Sequence, residues 1–452
     1  MRTLSYSYQR IFNIAFPLIL GNLAYTAIGF SDMYFMKFVG PIEQGAISYV
    51  GHLYTTIFIM GYAYGKGVQI LVANQAGAGA WHKVGNIVDH AILALLLMAV
   101  VLAVSVHLFG YDLLSGLLKT PEAVEASWQY LSVRKIGFVF AFMGCVMLSM
   151  YSGIERTKIL ALAIVSMSAT NIFLNWVFVF GKFGMKPMGI IGAAWASNLA
   201  ELVSLFIFVV GAFHQRLISK LKLFRFKGIH QSTFSHINWI SLPLILQAFI
   251  ALSAWFLFFT LIERELGPSA WAASGAISNI YMLCGITTYA FASTTNTAIG
   301  NLIGKQAYEE IVPTVRRIIG LSFGVAIVVT MPVLFSPKTV LLTLTTPELM
   351  EIGYSTLYVA MFSLWMYSIG SILFNAIVGL GQTMWSLVIE IASCIAFVGL
   401  LLALLYAMEI SNLALSWLSE VNYWLFTGGL GIYWFMKKFP KVIRRLKEQS
   451  VA

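Results

Sequence analysis

Apolar stretches of roughly 20 residues alternate with short polar segments along almost the whole chain, and about 20 residues suffice to cross the hydrocarbon core of a bilayer. They cover residues 11–36, 46–76, 91–109, 131–151, 159–180, 192–213, 239–262, 272–303, 318–334, 357–378, 384–406 and 413–436. Backbone polar groups cannot go unpaired in lipid, so each stretch is predicted to be a helix. The pattern predicts an all-α polytopic membrane protein with 12 transmembrane helices.

The two halves of the sequence repeat one another. Residues 17–20 read PLIL, and the same letters return at residues 243–246, half of the 452-residue chain later. Residues 120–122 (TPE) recur at the same offset as residues 346–348. Transporters are often built from two homologous halves with the substrate held between them. We therefore predict two pseudo-symmetric six-helix lobes joined by a linker, in the order 1–213 for the first lobe, 214–238 for the linker, 239–436 for the second lobe and 437–452 for a tail.

The positions of the basic residues indicate an orientation in the membrane. Lysines and arginines number 28 against 18 acids, a net charge of +10. With the N-terminus inside, most of them fall on inner loops, above all in the linker and the tail, as the positive-inside rule requires. This predicts a protein of the inner (plasma) membrane with both termini cytoplasmic, two parallel lobes and a linker that lies on the membrane surface. We expect the positive charge to interact with the lipid bilayer and not with nucleic acid. We also expect a monomer.

Sequence motifs for enzymatic chemistry are missing from the chain. It has no phosphate-binding loop, no H-E-x-x-H and no nucleophile elbow, and its three cysteines lie in apolar stretches without metal-ligand spacing. No segment is long enough for an ATP-driven motor domain. We therefore expect no enzyme and no cofactor, and work that draws on an ion gradient, with H⁺ or Na⁺ as the coupling ion.

One layer of polar side chains stands out in the outer half of the first lobe. Counted from the outer helix ends, these residues lie at similar depths, and they are Asp32, Asn171, Asn175, Ser197 and Glu201. An ionisable group inside a span costs roughly 3 kcal/mol and is a functional candidate by default. A carboxylate beside neutral oxygens predicts a site for a titrating proton or, with Asp32, Asn171 and Asn175 as ligands, for Na⁺. The asparagines could instead only hold helices together by hydrogen bonds.

Glu390, Glu420 and Lys66 are three further ionisable candidates within predicted spans. Glu390 and Glu420 stand near helix ends, and we expect both to reach water by snorkelling. Lys66 could serve as a counter-ion for a buried acid or line a wet cavity.

Other residues indicate a substrate cavity and a point of bending. Aromatic, methionine and polar side chains suit a bulky, amphipathic ligand that can be cationic, although they also occur in ordinary helix packing. The predicted lining residues are Asn22, Tyr25, Lys66, Gln247, Trp255, Asn279, Met282, Tyr289 and Asn296. Pro17 lies early in the first helix, where a proline permits bending. Its repeat, Pro243, has no acid at the position equivalent to Asp32, which corresponds to Phe258 or Phe259, and none before Glu263.

Two segments resemble the multidrug and toxic compound extrusion (MATE) family, in its NorM/DinF-like prokaryotic branch of the MOP flippase superfamily. Residues 29–40 read GFSDMYFMKFVG and resemble the family's first helix. Residues 170–181 (TNIFLNWVFVFG) and 189–197 (GIIGAAWAS) resemble its fifth and sixth helices. The similarity extends over nearly the whole chain.

The resemblance implies a V-shaped pair of six-helix lobes that export organic cations and other drugs by exchange for Na⁺ or H⁺. It also implies that the family's cation site in the first lobe is formed here by Asp32, Asn171, Asn175 and Ser197. The chain departs from the family in having Ser at 197, where Thr is usual, and Asn at 175, where some members have Asp. It also lacks the seventh-helix acid of the NorM branch, with Gln247 near that level, which favours coupling in the first lobe.

The predicted mechanism is secondary antiport by alternating access: Asp32 takes up the ion, the first helix bends near Pro17 and drug is released outward. Two alternatives stay open. A flippase for a lipid-linked saccharide should show a cavity rich in arginine and lysine. An intramembrane enzyme would need a catalytic pair such as Lys66 with an acid.

Overall fold

A computed structural model describes residues 6–226, 228, 230–408 and 412–451, and all regular structure in these residues is helical. The predictions made for residues 1–5, for residues 227 and 229 of the linker, for residues 409–411 and for residue 452 lie outside the described part of the chain.

The first half of the sequence forms seven long helices and one short helix. They are α1 (Tyr8–Met36), α2 (Pro41–Gly77), α3 (Trp81–Leu117), α4 (Pro121–Arg134), α5 (Gly137–Gly153), α6 (Lys158–Phe180), α7 (Gly189–His214) and the short α8 (Leu217–Leu221). Proline occupies the first position of α2 and of α4, where its missing N–H costs no hydrogen bond.

The second half repeats this order. Its helices are α9 (Gln231–Leu266), α10 (Pro268–Gly304), α11 (Ile311–Phe335), α12 (Pro337–Leu342), α13 (Pro347–Gly379), α14 (Thr383–Leu402), α15 (Leu413–Ser416), α16 (Leu418–Lys437) and α17 (Phe439–Val451). A 3₁₀ turn at Tyr308–Glu310 precedes α11, and a π-helical turn at Ala403–Ala407 extends α14.

Each of the twelve predicted spans falls on a helix in the expected order, which confirms the predicted fold class. By length and composition, nine spans of the described residues can cross a membrane, or ten if α4 and α5, bent by 49° at their junction, form one span. Helices α10 and α16 are not counted, because polar residues lower their mean hydropathy.

The chain divides into two compact units. The N unit is Phe16–Ser241, and the C unit is the described part of Met1–Ala15 with Leu242–Ala452. Compared with the predicted lobes, the opening turns of α1 belong to the C unit, and the opening turns of α9 belong to the N unit. The two boundaries fall at equivalent places in the repeat, just before Pro17 and Pro243.

Each unit has its own apolar core. In the N unit, Met36, Leu114 and Leu131 pack around the small residues Ala193 and Ala194 of α7. In the C unit, Trp417 and Phe258 lie at the centre of an aromatic cluster. These cores bury the apolar faces of the helices, and the remaining large apolar side chains are exposed, as expected for helices in lipid.

The linker is fixed to the N unit by one buried acid. The Asp89 carboxylate on α3 accepts backbone N–H bonds from Phe224, Arg225 and Phe226 at 2.8, 2.9 and 3.1 Å. Beside it, Gly85 leaves no space, because a Cβ there would lie 2.3 Å from the carbonyl oxygen of Leu221. This part of the linker is therefore held by α3, a constraint that its basic composition did not indicate.

Candidate cation site

Helices α6 and α7 carry three of the four residues to which the family resemblance assigns the cation site. Gly181 ends α6 in a left-handed conformation, with φ of 67°, and this allows the chain to turn back. Gly192 then lies so close to α6 that a Cβ would meet the backbone of Phe178 at 2.9 Å. This close approach places Asn175 of α6 beside Ser197 of α7, and the i,i+4 spacing puts Asn171 on the same face of α6.

The Asp32 carboxylate on α1 completes the cluster. Its Oδ1 accepts hydrogen bonds from Asn175 Nδ2 at 2.6 Å and Asn171 Nδ2 at 3.1 Å. Its Oδ2 accepts one from Ser197 Oγ at 3.2 Å. The structure therefore brings together the four residues that the resemblance selected.

The cluster is closed to its surroundings. Asn171 and Asn175 are wholly buried, Ser197 is 5% exposed and Asp32 is 9% exposed. Asn171 also bonds to Ser197 and to Asn175, so the partners hold one another as well as the acid. The three side chains that hydrogen-bond to the carboxylate are neutral. Arg134 lies close enough to act on Asp32 electrostatically, but the described contacts include no bond between them.

Oxygen atoms are available around Asp32. The wholly buried Asn175 Oδ1 has no hydrogen-bond partner among the described residues. If the two amides turn over, they present oxygen to Asp32, and together with the Ser197 hydroxyl they offer the ligands that a hard cation needs. In the orientation that the structure shows, the amide N–H groups face the Asp32 carboxylate. A proton can also neutralise this carboxylate.

Glu201 belongs to a different cluster. Its Oε1 lies 2.8 Å from Arg134 Nη2, and the Tyr54 hydroxyl bonds to both carboxylate oxygens at 3.0 Å. The Arg134 guanidinium also stacks over the Tyr54 ring at 3.7 Å and bonds to Asn198. Among the described contacts, Glu201 makes none with Asp32. That Glu201 shares the Asp32 layer stays a prediction, but its carboxylate pairs with Arg134 and not with the Asp32 cluster, because depth along a helix does not determine which neighbour a side chain faces.

Sequence reasoning missed Arg134, which it assigned to the outer helix ends. The structure buries this residue to 5% exposure. A signal was present, because Arg134 lies inside the predicted span of residues 131–151, where an unpaired guanidinium would be costly.

The predicted lining residues of the first half are not part of the Asp32 cluster. Asn22 Nδ2 bonds to the backbone oxygen of Leu18, and Tyr25 stacks on Phe58 with ring centroids 5.8 Å apart. Lys66 is half-buried, with its Nζ 5.5 Å from the centre of the Tyr62 ring. That these three residues line a substrate cavity stays a prediction.

The predicted lining residues of the second half have different surroundings. Asn279 and Met282 are exposed, Tyr289 is half-buried, and Gln247 accepts a hydrogen bond from Ser386. Asn296 is wholly buried and bonds to Asn375 at 3.1 Å, and its role as a lining residue of the substrate cavity stays a prediction.

Trp255, the remaining predicted lining residue, packs into the core of the C unit. Its ring contacts those of Phe258, Phe397 and Trp417, with centroids 5.6 to 6.1 Å apart. This packing accounts for the residue without a ligand.

Glu390 and Glu420 lie inside the C unit and are each 3% exposed. Tyr423 bonds to Glu390, and Tyr281 and Trp424 bond to Glu420. The expectation that both snorkel to water is therefore wrong, because neighbouring helices supply polar partners inside the bundle.

Comparison with known proteins decides the family. The sequence profile of the MatE family matches residues 17–177 and, a second time, residues 243–405, which together make up well over half of the chain. The chain belongs to the MatE family. It is a MATE-type membrane transporter of the NorM-like kind, which confirms the resemblance.

Individual relatives are distant in sequence. The probable multidrug resistance protein NorM of Photorhabdus laumondii is 23% identical over 71% of this chain and 70% of its own length. The crystal structure of a MATE in a bent conformation has a TM-score of 0.87 at 19% identity and covers 99% of this chain and 98% of its own. A MATE in a straight conformation gives 0.88 at 20% identity, with 98% of each chain covered. At such low identity the solved structures establish the fold alone.

Proposed function

We propose that this transporter is a secondary multidrug antiporter that exports small organic, often cationic, compounds in exchange for H⁺ or Na⁺ bound at Asp32. The observation that carries the proposal is the buried Asp32 carboxylate, which three neutral side chains hold by hydrogen bonds and which has no ion pair among the described residues. A relative named as a probable multidrug resistance protein supports the substrate class.

The coupling follows from the charge of Asp32. When ionised, its two oxygens accept all three hydrogen bonds, and these tie α1 to α6 and α7. A bound proton or Na⁺ removes the net charge and changes which donors the carboxyl needs. The contacts of α1 with α6 and α7 therefore differ between the two states, and a binding event becomes a change in helix position.

Pro17 is the point where α1 can absorb such a change. It lies inside the helix, and its ring removes one backbone hydrogen bond. The boundary between the units also falls two residues before it. We propose alternating access, with bending of α1 near Pro17. MATE structures in a bent and in a straight conformation support a fold with more than one state.

The proposal includes a location. We place the transporter in the inner membrane, embedded in the lipid bilayer as a monomer with both termini in the cytoplasm, and without a cofactor. The basic tail helix α17 supports this orientation, because it carries Lys441, Arg444, Arg445 and Lys447.

A lipid-linked saccharide flippase, the closest rival, needs free cations to hold pyrophosphate. The buried guanidinium of Arg134 does not favour it, because Glu201 already neutralises that charge.

Drug efflux from energised membrane vesicles tests the proposal, with the Na⁺ and proton gradients collapsed separately. We expect one of the two treatments to stop efflux. Asp32→Asn keeps the volume of the side chain but cannot change charge, so we expect the variant to insert normally and lose export. Efflux by Asp32→Asn at the wild-type rate would exclude Asp32 from the coupling.

A further inference from the structure

The C unit contains two buried acids on neighbouring helices. Glu390 lies on α14, Glu420 lies on α16, and each is 3% exposed. The two helices pack directly against each other, and the two carboxyl groups are close enough to interact electrostatically. Nothing in the coupling proposed at Asp32 uses either residue.

The partners of Glu420 are two neutral donors. Its Oε1 accepts a hydrogen bond from Trp424 Nε1 at 2.7 Å and one from the Tyr281 hydroxyl at 3.0 Å. Trp424 Nε1 also lies 3.1 Å from the Tyr281 oxygen, so the three groups form a closed triangle. Glu420 has no ion pair with any described lysine, arginine or histidine.

Glu201 is a useful comparison, because it is a largely buried acid whose charge is balanced by an ion pair. Arg134 lies 2.8 Å from it, and the pair has no net charge. Glu420 is buried more deeply and lacks such a partner, so as an anion it would keep a full charge in a low-dielectric interior. Burial of an uncompensated charge costs several kcal/mol, and a carboxyl group in that position binds a proton instead.

The residues around Glu420 also favour its neutral, protonated form. The titratable groups that interact with Glu420 or with its direct partners are neutral or acidic, and they are Tyr281 on α10, Tyr367 on α13, Glu390 and Cys394 on α14, and Tyr423 on α16 itself. Glu390 raises the cost of ionising Glu420, since two like charges would then share one interior.

One wholly buried hydroxyl points towards this cluster. Ser363 Oγ on α13 makes no regular hydrogen bond among the described residues, and it lies beside the Tyr281 hydroxyl. If Glu420 is protonated, its O–H can donate to Tyr281, which can in turn donate to Ser363. The cluster can therefore satisfy both the ionised and the neutral form of Glu420.

The donor set favours a proton over a metal cation. An indole N–H has no lone pair to offer, so Trp424 cannot be a ligand of Na⁺. The Asp32 cluster differs, because its amides and hydroxyl can turn oxygen towards a cation. Glu420 therefore has surroundings that accept H⁺ and exclude Na⁺.

We propose that Glu420, with Glu390 beside it, is a second proton-binding site of this transporter, located in the C unit and separate from Asp32. Protonation at this site does not depend on which ion couples transport at Asp32.

Trp424 provides the test, because its indole touches Glu420 and its fluorescence should respond to the charge there. The experiment uses the full-length transporter in detergent with the Asp32→Asn substitution, so that residue 32 cannot titrate. Emission is followed from about pH 4 to about pH 9, a range that brackets carboxyl titration, and the same trace from Trp424→Phe is subtracted. We expect one transition in the difference signal. Infrared difference spectra over the same range should show the carbonyl band of a protonated carboxyl.

Three variants make the test specific. Glu420→Gln should abolish both the transition and the infrared band. Glu390→Gln should move the midpoint of the transition to lower pH by removing a neighbouring like charge. Glu351→Gln, which changes an exposed acid, should leave the midpoint unchanged.

Other outcomes would overturn the proposal. They are a transition that survives Glu420→Gln, the absence of any transition, and a signal that responds to Na⁺ at constant pH. Failure of drug export by Asp32→Asn has no bearing on these readouts, so the two proposals can fail independently.

Discussion

Arg134 Nη2 lies 2.8 Å from Glu201 Oε1, and this contact distinguishes Glu201 from Asp32. Glu201 is ion-paired with a cation, whereas the side chains that hydrogen-bond to Asp32 are neutral. A surface pair has almost the same separation, because Lys338 Nζ lies 2.7 Å from Glu351 Oε1 with both side chains about half exposed. The two pairs therefore differ chiefly in burial.

We expect Glu201→Gln to destabilise the protein by about 3–5 kcal/mol, because it leaves the Arg134 charge buried without a partner. Replacing both residues by leucine should recover most of that loss. Glu351→Gln is the control and should cost less than about 1 kcal/mol. Thermal unfolding in detergent measures all three, and equal losses at the two sites would show that burial does not determine the strength of the pair.

Asn171→Ala and Asn175→Ala should each weaken cation dependence more than drug binding, because each removes a direct partner of Asp32. In double-mutant cycles with Asp32→Asn, we expect coupling energies of about 0.5–3 kcal/mol. Asn22→Ala serves as the control, since the Asn22 amide bonds to the backbone of its own helix. Additive effects in the ion-binding titrations would favour the view that the asparagines only hold helices together.

Gly192→Ala should reduce cation binding without touching any site residue. The new methyl group would lie 2.9 Å from the Phe178 backbone and force α6 away from α7, which separates Asn175 from Ser197. Gly144→Ala on α5 is a matched control, because a Cβ there meets nothing within 4 Å. Alanine is the better helix former by about 1 kcal/mol, so the control should be neutral or stabilising. Wild-type cation affinity in Gly192→Ala would contradict the requirement for close packing.

Asp89→Ala should release the linker from α3, because three backbone N–H groups lose their acceptor together. Limited trypsin digestion should then cut after Arg225 several times faster than in the wild type. The control is Asp112→Ala, which removes an exposed acid later on the same helix. If the two variants are cut at equal rates, other contacts hold the linker.

Pro17→Ala should impair efflux strongly, and Pro243→Ala should have a milder effect that comes mainly from packing. Both prolines lie inside helices at equivalent unit boundaries, but α1 carries a buried acid, Asp32, whereas the acids of α9 after its proline, Glu263 and Glu265, are exposed at its outer end. Efflux at equal expression compares the two variants. Equal losses would indicate that the prolines are architectural and that bending is not specific to α1.

The sequence predicted the helices, the repeat and the Asp32 cluster because these follow from periodicity, length and family resemblance. Asn171 and Asn175 share a face through their i,i+4 spacing, and Ser197 follows through the glycine that brings α7 against α6. Local pattern was sufficient for these contacts.

The other acids could not be placed in this way. Counting residues from a helix end gives the depth of Glu201 or Glu420, but not the neighbour that each side chain meets. Arg134 and Tyr281 lie far from these acids in sequence, so pairing with them depends on how separate helices rotate against one another. The burial of Glu390 and Glu420 is a tertiary property for the same reason.

The paired boundaries beside Pro17 and Pro243 have a consequence for how the protein assembles. The chain passes from one unit to the other only at these two places, and both crossings lie within a continuous helix. In each half of the duplicated sequence, the opening turns of the first helix therefore belong to the unit that the other half mainly forms. This arrangement is the one seen in domain swapping. Neither half is a complete folding unit, and a gene divided within the linker would yield two fragments that reach their native form only together.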